Sequence, residues 1–440
     1  MMKSSKTIIL TLILFGASFS CKAQQIYFPP LAGNQWETIS PASLGWCTDK
    51  IDTLYNFLDS RNTKAFMVLK DGKIVMEKYF GTFTSDSLWY WASAGKTLTG
   101  MLTGIAQQEG YLSIDKSVSA YLGQGWTSCT TDKEQLITVR NQLAMTTGLD
   151  DAVPDQDCTT PACLQYLADA GTRWAYHNAS YTILDQVITN ATGINFNTYF
   201  ISRIRNKTGM TGLWINLDYN HIYFSNARSM ARFGVLLLAN GIWNGISVIQ
   251  DADYLQAMTN SSQSLNKSYG YLTWLNGKES YMIPQTQFVF PGSLCPAAPA
   301  DMYAALGKNG QLINVVPSQG LVIIRMGNAP DNQFEIMNAF NNLIWQQLNK
   351  VICNTVGTAE PLDKSNAFTI YPIPANTEIN IINRNASKGF KAFLVDVSGH
   401  LITIARDSKN LNVSGIAPGA YILNIIQDGK RFIYPVSIAR

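Results

Sequence analysis

The hydrophobic pattern of this chain changes period at one place. Up to Lys350 it mixes strand-like and helix-like runs and ends on the amphipathic stretch FEIMNAFNNLIWQQLNK. From Phe368 onward, in FTIYPIPA, EINIIN, FKAFLVDVSGHLITIA and LNVSGIAPGAYILNIIQDGKRFIYPVSIA, apolar and polar residues only alternate. A segment with nothing but a period of two, cut by Ser-Gly, Pro-Gly and Asp-Gly turns, closes as a small β-sandwich. The residues between the two patterns are polar and aperiodic, which predicts a linker over residues 354–366. Two bodies are therefore expected: a main domain over 24–353 and a C-terminal β-sandwich over 367–440.

In the main domain, AFMVLKDGKIVMEKYF predicts two strands around Asp71-Gly72, and LINVVPSQGLVIIRM a second pair around Pro317 to Gly320. The runs between them are mostly helical, as in ARSMARFGVLLLANG. Strands at both ends with helices inside predict an α/β (α+β) domain: an antiparallel sheet whose first and last strands meet, flanked by helices and carrying a helical insertion. With 46% hydrophobic and 14% charged residues over 440 positions, the chain has the apolar content for a large core. A net charge of +3, spread evenly, with no basic run interleaved with aromatics, argues against nucleic acid as a partner.

The first residues join a basic start, Lys3 and Lys6, to an apolar run from Ile8 to Ala17 and then small residues, the pattern of a secretory signal over 1–23. Cleavage is expected after Ala23, with cleavage before a lipidated Cys21 as the alternative. No later run approaches the roughly 18 apolar residues of a membrane span, so no integral span is expected. Without Cys21, six cysteines remain for an oxidising compartment, Cys47, Cys129, Cys158, Cys163, Cys295 and Cys353. Sequence does not choose among their pairings, although Cys47 and Cys353 bracket the main domain and could tie its ends. The three histidines, His177, His221 and His400, are scattered and no Cys-x-x-Cys occurs, so neither a metal nor another cofactor is expected.

Ser-x-x-Lys occurs three times, as Ser93/Lys96, Ser113/Lys116 and Ser264/Lys267, and the spacing alone decides nothing. Context separates the first. After Lys96 the residues Leu98, Met101, Leu102, Ile105 and Ala106 recur at helical spacing, while Gly100 and Gly104 leave a smooth face for close packing. Such a helix is buried, and Lys96 then lies on the same face as Ser93. A lysine without water or a full set of partners gives up its proton more easily, and the neutral amine can take the proton of a serine. Ser113 lies in a turn-like segment and Ser264 in a polar loop, where lysine stays charged. Two further segments carry suitable chemistry. Tyr176-His177-Asn178 offers a phenol for proton transfer and an amide to orient a carbonyl or the lysine. ALGKNGQ places Lys308 and Gly310 at the start of a strand, where a backbone N–H can point into a cleft. His177 itself is expected to be a partly exposed filler, and Trp89, Tyr90, Trp91 and Trp174 either line a pocket or belong to the core.

The order Ser-x-x-Lys, Tyr-x-Asn, Lys-x-Gly resembles the serine β-lactamase and penicillin-binding superfamily, in particular the branch of class C β-lactamases, D-aminopeptidases and related esterases. The likeness spans Trp36 to Lys350. It implies Ser93 as the acylated nucleophile, Lys96 as its proton acceptor and Tyr176 as the acid and base for the leaving group and the deacylating water. Asn178 would hold the substrate, Lys308 a substrate carboxylate or the tyrosine's anion, and the N–H groups of Ser93 and Gln311 the oxyanion. Asn309 stands where β-lactamases carry threonine or serine, which favours ester or amide hydrolysis of small or peptide-like substrates over antibiotic hydrolysis. Two other readings exist: an α/β-hydrolase elbow in Trp91-Ala92-Ser93-Ala94-Gly95, with His221 or His177 as base, and a binding protein that kept the fold without the chemistry.

The tail is similar to the C-terminal sorting domain of the type IX secretion system, through Tyr371-Pro372-x-Pro374-Ala375, Asp396-x-Ser398-Gly399 and Gly415-x-x-x-Gly419-x-Tyr421. That likeness implies that the partner is the type IX machinery, and that the chain passes through the periplasm to an extracellular or cell-surface location.

Overall fold

The structure is a computed structural model and describes residues 26–330, 337–353, 368–383, 389–396, 401–406, 409–427 and 430–439. The expected signal and linker, together with Ser398, Gly399 and His400, lie outside them.

The main domain is built on six strands in the spatial order Lys73–Tyr79, Thr63–Lys70, Leu321–Gly327, Gln311–Val316, Tyr303–Gly307 and Trp274–Leu275, each paired antiparallel with its neighbour. The first sequence hairpin meets the last through Met67 opposite Ile324 and Val68 opposite Ile323. Strand Thr63–Lys70 is buried on both sides from Ala65 to Leu69 because it is central and covered on both faces. Helix Ala227–Leu238 covers one face, where Gly234 lies against Val322 and Ile313. Helix Met337–Ile352 covers the other, where Asn341 and Asn314 exchange amide hydrogen bonds at 2.7 and 2.8 Å. Ile313 and Asn314 are successive strand residues and so point to opposite sides.

The insertion between the two strand pairs carries helix Gly95–Gln108, in which every residue from Gly95 to Ala106 is buried. Its smooth face is used: a Cβ on Gly104 would lie 2.3 Å from the ring of Tyr254, and one on Gly100 would lie 3.2 Å from the Tyr271 carbonyl. Thr97 donates to the Leu272 carbonyl at 2.7 Å on the same side. The two ends of the domain are joined by the Cys47–Cys353 disulfide, a second disulfide links Cys158 to Cys163, and Cys129 and Cys295 are free thiols. Among the described residues no helix is long and apolar enough to cross a membrane.

The C-terminal strands form two small sheets, Phe368–Tyr371 with Glu378–Asn383 and Asn410–Asn412, and Leu401–Arg406 with Lys391–Asp396, Gly419–Gln427 and Lys430–Ile438. Ile379, Ile381, Leu394, Leu423 and Ile425 from the two sheets share one core. Ala375, fully buried, holds the first turn to the last strand through Ala375 N–H to Ser437 O at 2.7 Å and Ala439 N–H to Ala375 O at 2.9 Å.

Candidate active site

The chain leaves the short strand Trp89–Tyr90, makes one tight turn over Ala92–Ala94 and enters the buried helix at Gly95. The turn is strained, with Ala92 at φ +47°, a conformation costly for a residue with a Cβ. It is held from both sides. Trp91 N–H donates to the Tyr223 carbonyl at 2.8 Å and its indole N–H to Ser225 Oγ at 2.8 Å. On the sheet side Gly307 presses so close that a Cβ there would lie 2.4 Å from the Trp91 carbonyl oxygen. The strain therefore serves to aim Ser93, which stays half-buried while its neighbours Trp91 and Ala94 are fully buried.

One helical turn on, Lys96 is 4% exposed. Its Nζ donates to Ser93 Oγ at 2.9 Å and to Asn178 Oδ1 at 2.9 Å, and no carboxylate pairs with it among the described residues. The rings of Tyr181 and Tyr176 lie 4.2 and 5.0 Å from the nitrogen. Desolvation brings its pKa down from 10.5 to about 7, against the opposing charge of Asp157. The amine thus exchanges its proton near neutrality while hydrogen-bonded to a hydroxyl, which is the requirement for a base that activates serine.

Tyr176 is packed among aromatic rings. Trp274, on the edge strand of the central sheet, stacks on it at 5.7 Å and 22°, and Tyr269 meets it edge-on at 6.2 Å. Burial pushes its phenol well above the ordinary tyrosine range, with hydrogen bonding to Ser93 acting in the opposite direction. Asn178 opens helix Asn178–Thr182, and Tyr181, three residues on, is placed by that helix against Lys96. Tyr181 escaped the sequence reading, although its i+3 spacing from Asn178 is the signal that could have found it.

The Lys308-x-Gly310 segment corrects one expectation. Lys308 to Gly310 do not open a strand; they form a tight turn, with Asn309 at φ +62° and Gly310 at φ +75°, and the strand begins at Gln311. Lys308 is exposed, whereas Asn309 donates from Nδ2 to Tyr90 Oη at 2.7 Å. Gln311 is fully buried and clasps Gly327, donating to its carbonyl at 2.7 Å and accepting from its N–H at 3.0 Å. The brace beneath this turn is Arg325, which sequence reasoning passed over as a strand residue. Fully buried, it donates to the carbonyls of Asn309, Gly310, Arg61 and Asn328 at 2.5, 3.1, 2.8 and 3.0 Å and to Thr63 Oγ1 at 3.2 Å. Burial without a carboxylate brings its pKa down to about 9.

Two other expectations change. His177 is buried at 1% exposure and not a partly exposed filler, and Trp91 and Trp174 belong to the core. His221 bonds through Nδ1 to Asp185, whose carboxyl is pushed up by burial; no hydrogen bond joins either histidine to Ser93. Cavities of about 380 and 360 Å³ lie along the N-terminal segment around Phe28, Trp243 and Asn244, and none of the residues above lines them.

The family pattern described as Beta-lactamase matches residues 56–344, well over half of the chain. The chain belongs to the β-lactamase family. This membership, with an antiparallel sheet in place of a parallel one, removes the α/β-hydrolase reading. The family's serine hydrolases include a curated relative, 6-aminohexanoate-dimer hydrolase from Paenarthrobacter ureafaciens, 21% identical over an alignment of 312 positions, gaps included, that covers 64% of this chain and 76% of that protein. Among solved structures, a protein assigned as a β-lactamase from Bacteroides dorei is 18% identical and covers 70% of this chain and 99% of its own, at a TM-score of 0.56. One assigned as a 6-aminohexanoate-dimer hydrolase from Bacillus anthracis is 19% identical, covers 74% and 89%, and has a TM-score of 0.53. At these identities the structures speak for the β-lactamase and penicillin-binding fold. A second pattern, the secretion system C-terminal sorting domain, matches residues 369–436 and marks this β-lactamase family member for export to the cell surface or the extracellular space.

Proposed function

We propose that the protein is an exported serine hydrolase that forms an acyl-enzyme on Ser93 and cleaves linear amides or esters. The observation that carries this reading is Lys96, buried, lowered to about 7 and hydrogen-bonded to Ser93 Oγ at 2.9 Å. In the neutral form its nitrogen lone pair accepts the Ser93 proton as Oγ bonds to the substrate carbonyl carbon. The backbone N–H groups of Ser93 and Gln311 receive the oxyanion, with Arg325 and the Gly327 clasp keeping the second donor in place. Tyr176, whose raised pKa keeps it protonated, delivers a proton to the departing amine or alkoxide and recovers one from the water that releases the acyl group. Asn178 holds both Lys96 and the substrate amide. Lys308, exposed on its turn, suits a substrate carboxylate better than the phenolate.

Asn309 turns its amide to Tyr90, and the curated relative is named for a linear amide; both support linear substrates over β-lactams. The signal over 1–23 and the sorting tail, divided from the catalytic domain by the 354–366 linker, account for export. Incubation of the mature chain with a fluorophosphonate probe and mass mapping test the assignment. One adduct, on Ser93, is expected, and Ser93→Ala is expected to lose it together with at least about 10³-fold in turnover. Absence of an adduct, with no turnover by the wild-type chain, would leave only the non-catalytic binding protein, and turnover kept in Ser93→Ala would overturn Ser93 as the nucleophile.

A further inference from the structure

The sorting domain buries a face that its own core does not use. In strand Lys391–Asp396, Ala392 and Leu394 point into that core, so Phe393 points outward. In the neighbouring strand Gly419–Gln427, Leu423 and Ile425 point inward, and Asn424, directly opposite Phe393, points outward. The outer face of an antiparallel sheet is ordinarily solvated. Here Phe393 is 4% exposed and Asn424 0%. Phe393 is met by Phe288 of the main domain, with ring centroids 6.0 Å apart at 52°. Phe288 lies in the hairpin between the paired strands Ser280–Tyr281 and Phe290–Pro291; it abuts Phe290 at 4.6 Å, and Phe290 stacks on Tyr281 at 5.2 Å. The residue before it reaches the wall of the active site: Gln287 donates from Nε2 to the Trp174 carbonyl at 3.0 Å. Trp174 packs edge-on against Tyr269 and Trp274 at 5.5 and 6.2 Å, the two rings that flank Tyr176. Among the described residues no backbone–backbone hydrogen bond holds residues 283–289, so side-chain contacts decide how firmly this loop stays in place.

We propose that the sorting domain docks on the main domain through this outer face, Phe393 onto Phe288, and that while attached it braces the loop that supports the wall around Tyr176. The tail is then an intramolecular partner of the active site as well as an export signal. Two successive residues carry the link, Phe288 to the sorting domain and Gln287 to Trp174. Neither docking nor bracing depends on acyl-enzyme chemistry, so a wild type without turnover would bear on the hydrolase reading alone.

Hydrogen exchange read by mass spectrometry on the mature full chain tests this from both sides of the contact. Phe393→Asp, outside the sorting core, and Phe288→Ser, in the main domain, should each speed exchange over residues 283–289 by about 10-fold, and over 172–178 by about 3-fold. Small-angle scattering should show a larger radius of gyration in each variant, and the double variant should add nothing further, as expected for two halves of one contact. Peptides over 379–381 and 423–425 report whether the sorting core stays folded. Should Phe393→Asp unfold it, Phe288→Ser, which leaves that domain's sequence intact, carries the comparison. Exchange over 283–289 and a radius of gyration that match the wild type in the variants would overturn the docking. Domains that separate while 172–178 exchanges as in the wild type would overturn the brace.

Discussion

Replacing Lys96 by methionine should make the protein inactive and, at acid pH, more stable. The side chain is 4% exposed, and its pKa falls from 10.5 to about 7 because the folded protein disfavours the ammonium. At about 1.4 kcal/mol per tenfold change in proton affinity, the cost of the charged form is about 5 kcal/mol. The folded pKa is below the unfolded one, so the unfolded chain binds the extra proton between pH 7 and 10.5. Wild-type stability therefore rises with pH across that window by about 1.4 kcal/mol per unit, with the full cost present below pH 7. Methionine fills the same volume without charge and has no such dependence. It leaves Asn178 Oδ1 without its donor, which returns about 1–3 kcal/mol. Net stabilisation at pH 6 is thus about 2–4 kcal/mol, shrinking and then reversing toward pH 10. Denaturant unfolding of both proteins at pH 6, 7.5, 9 and 10 measures this directly. A difference between them that does not change with pH would refute the argument that the lysine is held with a depressed pKa. The same group predicts a rise of kcat/KM with pH, centred near 7, in the wild type.

Arg325→Lys should lower kcat by about 10-fold with KM within about 3-fold, because a single ammonium cannot hold the carbonyls of Asn309, Gly310, Arg61 and Asn328 together; steady-state kinetics on a p-nitrophenyl ester gives the split. Equal loss in both constants, or in neither, would remove Arg325 as the brace of the Lys308–Gln311 turn. Gly104→Val should destabilise by about 2–4 kcal/mol, since its Cβ alone falls 2.3 Å from the Tyr254 ring in a packed interior. Thermal unfolding checks it, and an unchanged midpoint would mean that the helix face is not as tightly packed as described.

The strand pairs around Asp71-Gly72 and Pro317–Gly320 were legible because alternation and turn residues are local properties. The burial of Gly95 to Ala106 was legible because the apolar residues there repeat at helical spacing around two glycines. Ser93, Lys96 and Tyr176 could be picked out as candidates because spacing and context agree there and their order resembles the motifs of the family. Arg325 and Tyr181 could not, because each acts through partners far along the chain: Arg325 through Arg61 and Thr63, Tyr181 through Lys96. The reading of His177 went wrong for the same reason, since its burial depends on a loop whose path no periodicity records.

What the sequence alone determined was which segments alternate, which wind, and where a serine and a lysine share one helical turn, since each follows from neighbours within a few residues. Tertiary structure alone decided that the lysine is dry, that Trp274 stacks on Tyr176 and that Arg325 grips the turn before Gln311. Desolvation and hydrogen-bond satisfaction are set by everything that surrounds an atom, and those surroundings come from residues that only folding brings together.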